Sequence, residues 1–195
     1  GANFLVADIG AVSITENEGN ARMGTSWPDV HVVIAGIEKV IPAVGDLEVL
    51  LPILATYGTG QRITAYNSLL LGPRMSDETD GPKEMIVILL DNGRSNLLEK
   101  QEQRQALKCI RCGACLNVCP IFKTIGGQAY GTTYNGPIGA VITPIQVNSK
   151  DYKHLSHAST LCGACTDVCP VQIPLHMNLL ANRRDFNEEG MAKGQ

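Results

Sequence analysis

The chain has 195 residues, 44% of them hydrophobic, and a formal net charge of −3. This length allows one ordinary domain and a smaller second one, and the hydrophobic share excludes a disordered chain. The 16 Lys and Arg residues form no basic block, so we expect no nucleic-acid partner.

The N-terminal part, residues 1–92, has the pattern of an α/β domain. Short apolar and β-branched segments bounded by turn signals predict strands, and they read FLVADI, AVSITE, HVVIAGI, RITAYNSLL and EMIVILL. The segment VGDLEVLLPILATY predicts a helix in which Pro52 marks the first turn or a kink. Near-continuous apolar strands with an intervening helix predict a sheet buried on both faces.

The acidic segment TENEGNARM, which follows the second predicted strand, has two interpretations. Glu16 and Glu18 near Arg22 could bind a small hydroxy acid or take part in proton transfer. The ordinary interpretation is a polar hairpin turn.

The C-terminal part, residues 93–195, changes to a helical pattern around cysteines. SNLLEKQEQRQALKC predicts a polar helix with Ser95 as its N-cap, and GGQAYGTTYNGPIGAVITP predicts a wrapping loop with little regular structure. LHMNLLANRRDFNEEGMAKG predicts a last helix that ends at Gly190. Three apolar residues lie on one face of that helix: Leu175, Leu179 and Phe186.

Two cysteine runs dominate this part, CIRCGACLNVCP at 109–120 and STLCGACTDVCP at 159–170. The first has the C-x2-C-x2-C-x3-C-P spacing of proteins that hold two iron–sulfur cubanes. The second has Ser159 where the first has Cys109, so the chain has seven cysteines rather than eight. Zinc sites and disulfides are the alternatives, but neither accounts for such a run together with its near-copy.

The cysteine order predicts a crossed set of ligands, because in two-cluster proteins the fourth cysteine of each run binds the other run's cluster. The predicted ligands of cluster 1 are Cys109, Cys112, Cys115 and Cys169. Those of cluster 2 are Cys119, Cys162 and Cys165, and its fourth place falls at Ser159. Three interpretations stay open for that place: a three-iron cluster, a four-iron cluster with an oxygen ligand from Ser159 or an imidazole from His157 or His154, and a four-iron cluster with one open iron.

Several expectations concern location and cofactors. No apolar run reaches the roughly 20 residues that span a bilayer, and no signal peptide is visible, so we expect a cytoplasmic protein without a transmembrane segment. The chain begins with Gly1 and runs at once into an apolar stretch, so we expect a piece of a longer chain. No GxGxxG, P-loop or Ser-His-Asp pattern supports a dinucleotide or phosphoryl-transfer site.

Six long segments together resemble the C-terminal part of the lactate utilization protein B family, and the resemblance covers nearly all of the chain. They read ADIGAVSITENEGNARM, HVVIAGIEKVIP, GPKEMIVILLDNGRS, ALKCIRCGACLNVCPIF, YNGPIGAVITP and LCGACTDVCPVQIPLH. The resemblance implies two 4Fe-4S clusters on the seven cysteines, whereas the cysteine count alone leaves a 3Fe-4S second cluster open. It implies that residues 1–92 are the C-terminal part of a lactate-utilization α/β domain, similar to CoA-transferases in fold. Residues 93–195 would then form an α-helical ferredoxin-like domain.

The resemblance also implies a function. The chain would be the iron–sulfur electron-transfer subunit of a cytoplasmic complex that oxidises L-lactate to pyruvate without NAD. Its partners would be the other subunits of that system and an unidentified electron acceptor, and no catalytic residue is assigned. Two alternatives stay open: a substrate-processing α/β enzyme with structural or oxygen-sensing clusters, and a relay subunit of another 2-hydroxy-acid or glycerol-phosphate dehydrogenase.

Overall fold

The structure is a computed structural model that describes residues 1–147 and 149–192. The chain divides into two compact units, residues 1–91 and 92–195, each with its own hydrophobic core. Within the described residues, no helix combines the length and the apolar character needed to cross a membrane.

The first unit contains two sheets. Their strands are β1 (Phe4–Val6), β2 (Ala11–Glu16), β3 (Val30–Gly36), β4 (Val40–Ile41), β5 (Tyr66–Leu70) and β6 (Glu84–Leu90). One sheet has the order β4-β1-β2-β5, in which only the β1–β4 pair is parallel. The other consists of β3 and β6, paired in parallel from Val30 opposite Glu84 to Gly36 opposite Leu90. The five predicted strands are confirmed, and the short β4 was not predicted.

Two α-helices belong to this unit, α1 (Asn20–Ser26) and α2 (Leu47–Thr59). Helix α2 was predicted, and Pro52 lies inside it. Helix α1 was not predicted, because the sequence there reads as a polar turn. The Glu16 carboxylate explains its formation: it accepts hydrogen bonds from the backbone N–H groups of Ala21 and Arg22, both at 2.7 Å, and so satisfies donors at the start of the helix.

The four-stranded sheet is covered on both faces. Leu5 and Val12 pack on one face against Val33 and Ala35 of β3, so the two sheets share a core. On the other face, Val6, Ala11 and Ile41 pack against Leu47 at the start of α2. The period-2 alternation of these strands therefore positions both small cores.

The outer face of the β3–β6 sheet contradicts the prediction of a sheet buried on both faces. Residues that alternate along the two strands are apolar and 40–54% exposed, namely Val30, Val32, Ile34, Ile86, Ile88 and Leu90. We call these six residues the apolar outer face. The sequence is that of a covered parallel sheet, but no other element of residues 1–91 covers this face.

The second unit is helical. Its helices are α3 (Arg94–Glu99), α4 (Ala114–Val118), α5 (Pro120–Ile125), α6 (Gly136–Gln146), α7 (Ser149–His157), α8 (Ala164–Asp167) and α9 (Leu175–Ala192), with 3-10 turns at Gln103–Lys108 and Gln128–Tyr130. Helix α6 is central, since every residue from Gly136 to Pro144 is buried. Leu97, Leu155 and Leu179 join it from other helices to form the core.

Three predictions for this unit were wrong in detail. The polar helix before the first cysteine breaks at Lys100, whose backbone is extended, and Gly93 rather than Ser95 is the residue before its first turn. The predicted loop contains helix α6, because Pro137 lies in the first turn, where its missing N–H costs nothing. The last helix continues past Gly190 to Ala192.

Candidate iron–sulfur centre

The two cysteine runs adopt the same local structure. Each turns through two left-handed positions, separated by one cysteine, and then enters a short helix, α4 in the first run and α8 in the second. The first of these positions is Arg111 (φ 59°) in the first run and Leu161 (φ 55°) in the second. The other is the glycine two residues later, with φ 77° in the first run and 86° in the second. A non-glycine residue is strained in this conformation, so its repetition at equivalent places indicates a shared functional geometry.

The cysteines are free thiols, and their exposure repeats between the runs. Cys112 and Cys162 are exposed, whereas Cys115 and Cys165 are buried. Cys109, Cys119 and Cys169 are partly buried. Each run thus offers thiols to the interior and to the surface of the same unit.

Backbone N–H groups point at several of the sulfurs. Cys109 Sγ accepts from Arg111 at 3.4 Å, Cys119 Sγ accepts from Phe122 at 3.5 Å, and Cys169 Sγ accepts from Ile173 at 3.4 Å. Such donors stabilise negative charge on thiolates, which is the form that binds iron, and they tune the potential of a bound cluster.

The buried cysteines have pKa values that reflect their neighbours. Burial raises the pKa of Cys115 to about 11, a backbone hydrogen bond from Ile138 opposes this, and the thiolates of Cys109, Cys165 and Cys112 add to the rise. Because a thiol with this pKa is protonated at neutral pH, a bound cation is needed to hold it as a thiolate.

The pKa of Cys165, the buried cysteine of the second run, shows which thiols are its neighbours. Burial is the main cause that raises the pKa of Cys165, followed by the thiolate of Cys119 from the first run and that of Cys162. By contrast, the pKa of the exposed Cys162 is lowered, chiefly by a hydrogen bond from the backbone of Ala164 and then by one from the Thr160 side chain. The last cysteine of the first run is therefore close to the second run.

Ser159 occupies the place of the missing cysteine in the local structure as well as in the sequence. Its Oγ accepts a hydrogen bond from the N–H of Leu161 at 3.2 Å, the same contact that Cys109 Sγ makes with Arg111. His157, one of the two histidine candidates, is exposed at the end of α7, and its Nδ1 lies 3.1 Å from the carbonyl oxygen of Lys153. The backbone equivalence favours the serine.

The donor set fits iron–sulfur clusters by its chemistry. Among residues 1–147 and 149–192, no three Cys, His, Asp or Glu side chains converge closely enough to hold one metal ion. The thiolates of a cubane bind different irons, so they stand further apart than the ligands of a single zinc ion.

The hydroxy-acid site suggested for the first unit does not form. Both Glu16 oxygens accept backbone N–H groups, and Glu18 accepts from the side chain of Asn20 at 2.9 Å. The Arg22 guanidinium lies over the Tyr66 ring, 5.3 Å from its centroid, and its Nη1 is 3.5 Å from Ser68 Oγ. These residues stabilise the start of helix α1 and the neighbouring strand, so their role is structural, although the segment forms a helix rather than the predicted hairpin turn.

Two residues near the cysteines were missed from the sequence. Burial raises the pKa of the Tyr130 phenol, and the thiolates of Cys119 and Cys115 add to it, so the ring lies beside two thiols of the first run. Arg183 of helix α9 donates to the carbonyl oxygen of Ser159 at 2.7 Å. Neither position stands out in the sequence, since one lies in a predicted loop and the other in a run of polar helix residues.

The chain matches two known domain families, in the order in which the two units follow each other. Residues 1–90 match the LUD domain, and residues 105–173 match the 4Fe-4S dicluster domain. The chain is therefore a mixed α/β protein with a LUD domain and an iron–sulfur dicluster domain. No solved structure matches it significantly.

Curated relatives match almost the whole chain. Lactate utilization protein B of Bacillus subtilis is 46% identical over 193 residues, which is 98% of this chain and 40% of the relative. The same protein of Macrococcus caseolyticus is 50% identical over 97% of this chain and 39% of the relative. An uncharacterized electron transport protein of Escherichia coli, YkgF, is 48% identical over 98% of this chain and 40% of the relative.

The chain spans about 40% of the length of the curated relatives that it matches. The resemblance noted in the sequence is confirmed: this chain, with its LUD domain and its 4Fe-4S dicluster domain, is a homologue of lactate utilization protein B over nearly its full length.

Proposed function

We propose that the chain transfers electrons between two clusters during the oxidation of lactate to pyruvate. The observation that carries this proposal is the repeated backbone of the two cysteine runs, with thiols of both runs beside one another in one core. The names of the relatives, which refer to lactate utilization and electron transport, support the same role. A cubane, when bound, accepts and donates one electron at a time.

The crossed ligand set is part of the proposal. Cluster 1 binds to Cys109, Cys112, Cys115 and Cys169, and cluster 2 binds to Cys119, Cys162 and Cys165, with the Ser159 oxygen at its fourth place. The thiolates that act on the pKa of Cys115 are those of Cys109, Cys165 and Cys112, and those that act on the pKa of Cys165 are those of Cys119 and Cys162. The effect of Cys119 on Cys165 supports the crossing at Cys119.

The protein's own residues prepare the thiols for this task. Backbone N–H groups of Arg111, Phe122 and Ile173 stabilise three thiolates, and Tyr130 and helix α6 exclude water from the interior side. The exposed Cys112 and Cys162 leave a short path to the surface, where a donor or acceptor can approach.

The wider context is proposed on the same basis. Residues 1–92 are the C-terminal part of a lactate-utilization domain related in fold to CoA-transferases, and residues 93–195 form an α-helical ferredoxin-like domain. The protein works in the cytoplasm, where seven reduced thiols can take up iron, together with the other subunits of a lactate oxidation system and an electron acceptor.

The first experiment measures iron and sulfide per chain, with EPR before and after reduction, on protein purified without oxygen. About eight irons with signals only after reduction support two 4Fe-4S clusters. About seven irons with a signal in the oxidised state indicate a three-iron second cluster. A protein that binds zinc rather than iron would overturn the proposal.

The crossing has its own test. In a crossed set, Cys119→Ala removes the same EPR signal as Cys165→Ala, and Cys169→Ala removes the same signal as Cys115→Ala. If Cys119→Ala instead removes the signal lost in Cys115→Ala, the ligands are not crossed.

The role in lactate oxidation is tested with the full-length protein and its partner subunits. Reduction of both clusters by L-lactate supports the proposal. Lactate turnover that survives loss of cluster redox activity favours the substrate-processing enzyme. Reduction by another 2-hydroxy acid or by glycerol phosphate, but not by lactate, favours the other dehydrogenases.

A further inference from the structure

The approach to Ser159 differs from the approach to Cys109, although the runs themselves repeat. A 3-10 helix, Gln103–Lys108, leads directly into Cys109, whose N–H donates to the carbonyl oxygen of Ala106 at 3.1 Å. Helix α7 ends two residues before Ser159, at His157. The backbone of Ser159 therefore lies beyond the last helical turn and is fixed in another way.

Helix α9 supplies that fixation through one side chain. The Arg183 guanidinium donates to three carbonyl oxygens of the segment that leads into the second run: Ser156 at 2.9 Å, His157 at 3.3 Å and Ser159 at 2.7 Å. A planar guanidinium suits this task, because its five N–H donors have fixed directions.

A buried neighbour supports the same segment. Asn182, which is fully buried, donates to Ser156 Oγ at 3.0 Å, and Ser156 Oγ donates to the carbonyl oxygen of Ala140 in helix α6 at 2.8 Å. The segment is thus anchored at its start by Asn182 and along its length by Arg183.

The chemistry of the fourth place makes this placement matter. A serine oxygen is bonded more closely to its Cβ than a cysteine sulfur, so it reaches less far toward an iron. It is also a harder and weaker ligand for a cluster than a thiolate. Its contribution therefore depends on how well the backbone holds it, and residues that orient a ligand typically change metal affinity by about 10–100-fold when they are replaced.

We propose that Arg183 is a positioning residue for the second cluster: by binding the carbonyl oxygen of Ser159, it holds the serine hydroxyl at the fourth place and retards loss of the iron there. This inference rests on the ligand set given under Proposed function. It assigns a role to a residue of the last helix, outside both cysteine runs.

The test follows iron loss from anaerobically loaded protein treated with ferricyanide. Each [4Fe-4S]²⁺ cluster that reacts gives one electron to ferricyanide and releases one Fe²⁺, which leaves [3Fe-4S]⁺. A chelator reports the Fe²⁺, and oxidised-state EPR reports the three-iron cluster. We expect Arg183→Gln to lose this iron about tenfold faster than wild type, and Arg183→Lys to lie between the two.

Arg184 is the matched control. It is the next residue on α9, but its guanidinium pairs at the surface with Glu102 and Asp185, both at 2.9 Å. Arg184→Gln should lose iron at the wild-type rate. An equal acceleration in both variants would mean that any lost charge on this helix matters, and it would overturn the proposal.

A second comparison, made in a Ser159→Ala background, separates positioning of the serine from general loosening of the fold. Ser159→Ala should itself accelerate iron loss, and Arg183→Gln should add nothing further in that background, because both changes act on one oxygen. If Arg183→Gln accelerates the loss equally with and without the serine hydroxyl, Arg183 supports packing only and the proposal is wrong.

The remaining outcomes are also decisive. If Arg183→Gln releases Fe²⁺ at the wild-type rate, the proposal is overturned. It is also overturned if this variant loads neither cluster, because the residue is then needed for folding. If the wild-type protein holds about seven irons, the second cluster has no fourth iron for the serine to bind, and this inference is wrong. The proposed electron transfer between two clusters is unaffected. A wild-type protein without iron overturns the proposed function itself.

Discussion

Replacement of Asn182 by alanine should loosen the packing of the last helix in the iron–sulfur unit. The Asn182 side chain is fully buried and makes three hydrogen bonds. Its Nδ2 donates to the carbonyl oxygen of Val141 and to Ser156 Oγ, both at 3.0 Å, and its Oδ1 accepts from Gln103 Nε2 at 3.2 Å. One amide thus joins helices α6, α7 and α9 to the 3-10 turn before the first cysteine.

The expected cost follows from these bonds. The two side-chain partners each keep another bond after the change, since Ser156 Oγ still donates to Ala140 and Gln103 Nε2 still donates to Asp185 at 3.0 Å. The loss is therefore about 1 kcal/mol per bond, or about 3 kcal/mol in all, rather than the full penalty of stranded polar groups. This free energy corresponds to a factor of about 100 in the opening equilibrium.

Native-state amide hydrogen exchange on cluster-loaded protein measures this opening without requiring reversible unfolding. Amides of α6 and α9 should exchange about 100-fold faster in Asn182→Ala. The matched control is Asn187→Ala on the exposed side of α9, which should change exchange by less than about threefold. A change below about tenfold in Asn182→Ala, or one equal to the control, would refute the reasoning.

Three further predictions concern single side chains. Burial lowers the pKa of His31 from 6.5, so as the pH falls below 6.5 the unfolded chain takes up a proton that the folded chain resists. The protection of β3 amides, corrected for intrinsic rates, should fall over that range in wild type but not in His31→Gln. Glu16→Ala removes the acceptor for two backbone N–H groups and should lower the protection of α1 by about 1–2 kcal/mol, whereas Glu18→Ala should change it by less than about 0.5 kcal/mol. Gly139→Ala forces a methyl group against the backbone of the preceding turn and should destabilise α6 by about 2 kcal/mol, whereas Gly190→Ala meets open space and should stabilise α9 by up to about 1 kcal/mol.

The strands and the cysteine runs could be predicted because their signals are local. Alternation of apolar residues marks each strand, and a cysteine spacing records the geometry of one ligand site. Helix α6 could not be predicted in the same way. Its glycines and prolines are poor helix formers, but Gly139 allows close approach to the carbonyl group of Tyr134, and burial along the whole helix outweighs propensity.

The residues that support the candidate site could not be predicted from the sequence, for a different reason. Arg183 and Ser159 are 24 residues apart, and their contact exists only once α9 packs beside α7. Tyr130 likewise lies in a segment without periodicity, and its place beside the thiols depends on the 3-10 turn around it. Sequence spacing predicts ligands, whereas the residues that orient them are set by tertiary packing.

The apolar outer face of β3 and β6 has a practical consequence for the spectroscopy. Six apolar side chains at 40–54% exposure form a patch on a sheet of two parallel strands, a surface through which molecules can associate as concentration rises. EPR requires concentrated samples, so we expect association through this sheet to reduce the signal obtained from this chain. A polar replacement on that face, such as Val32→Thr, lies in the unit without the cysteines and should raise the working concentration with the cluster ligands unchanged.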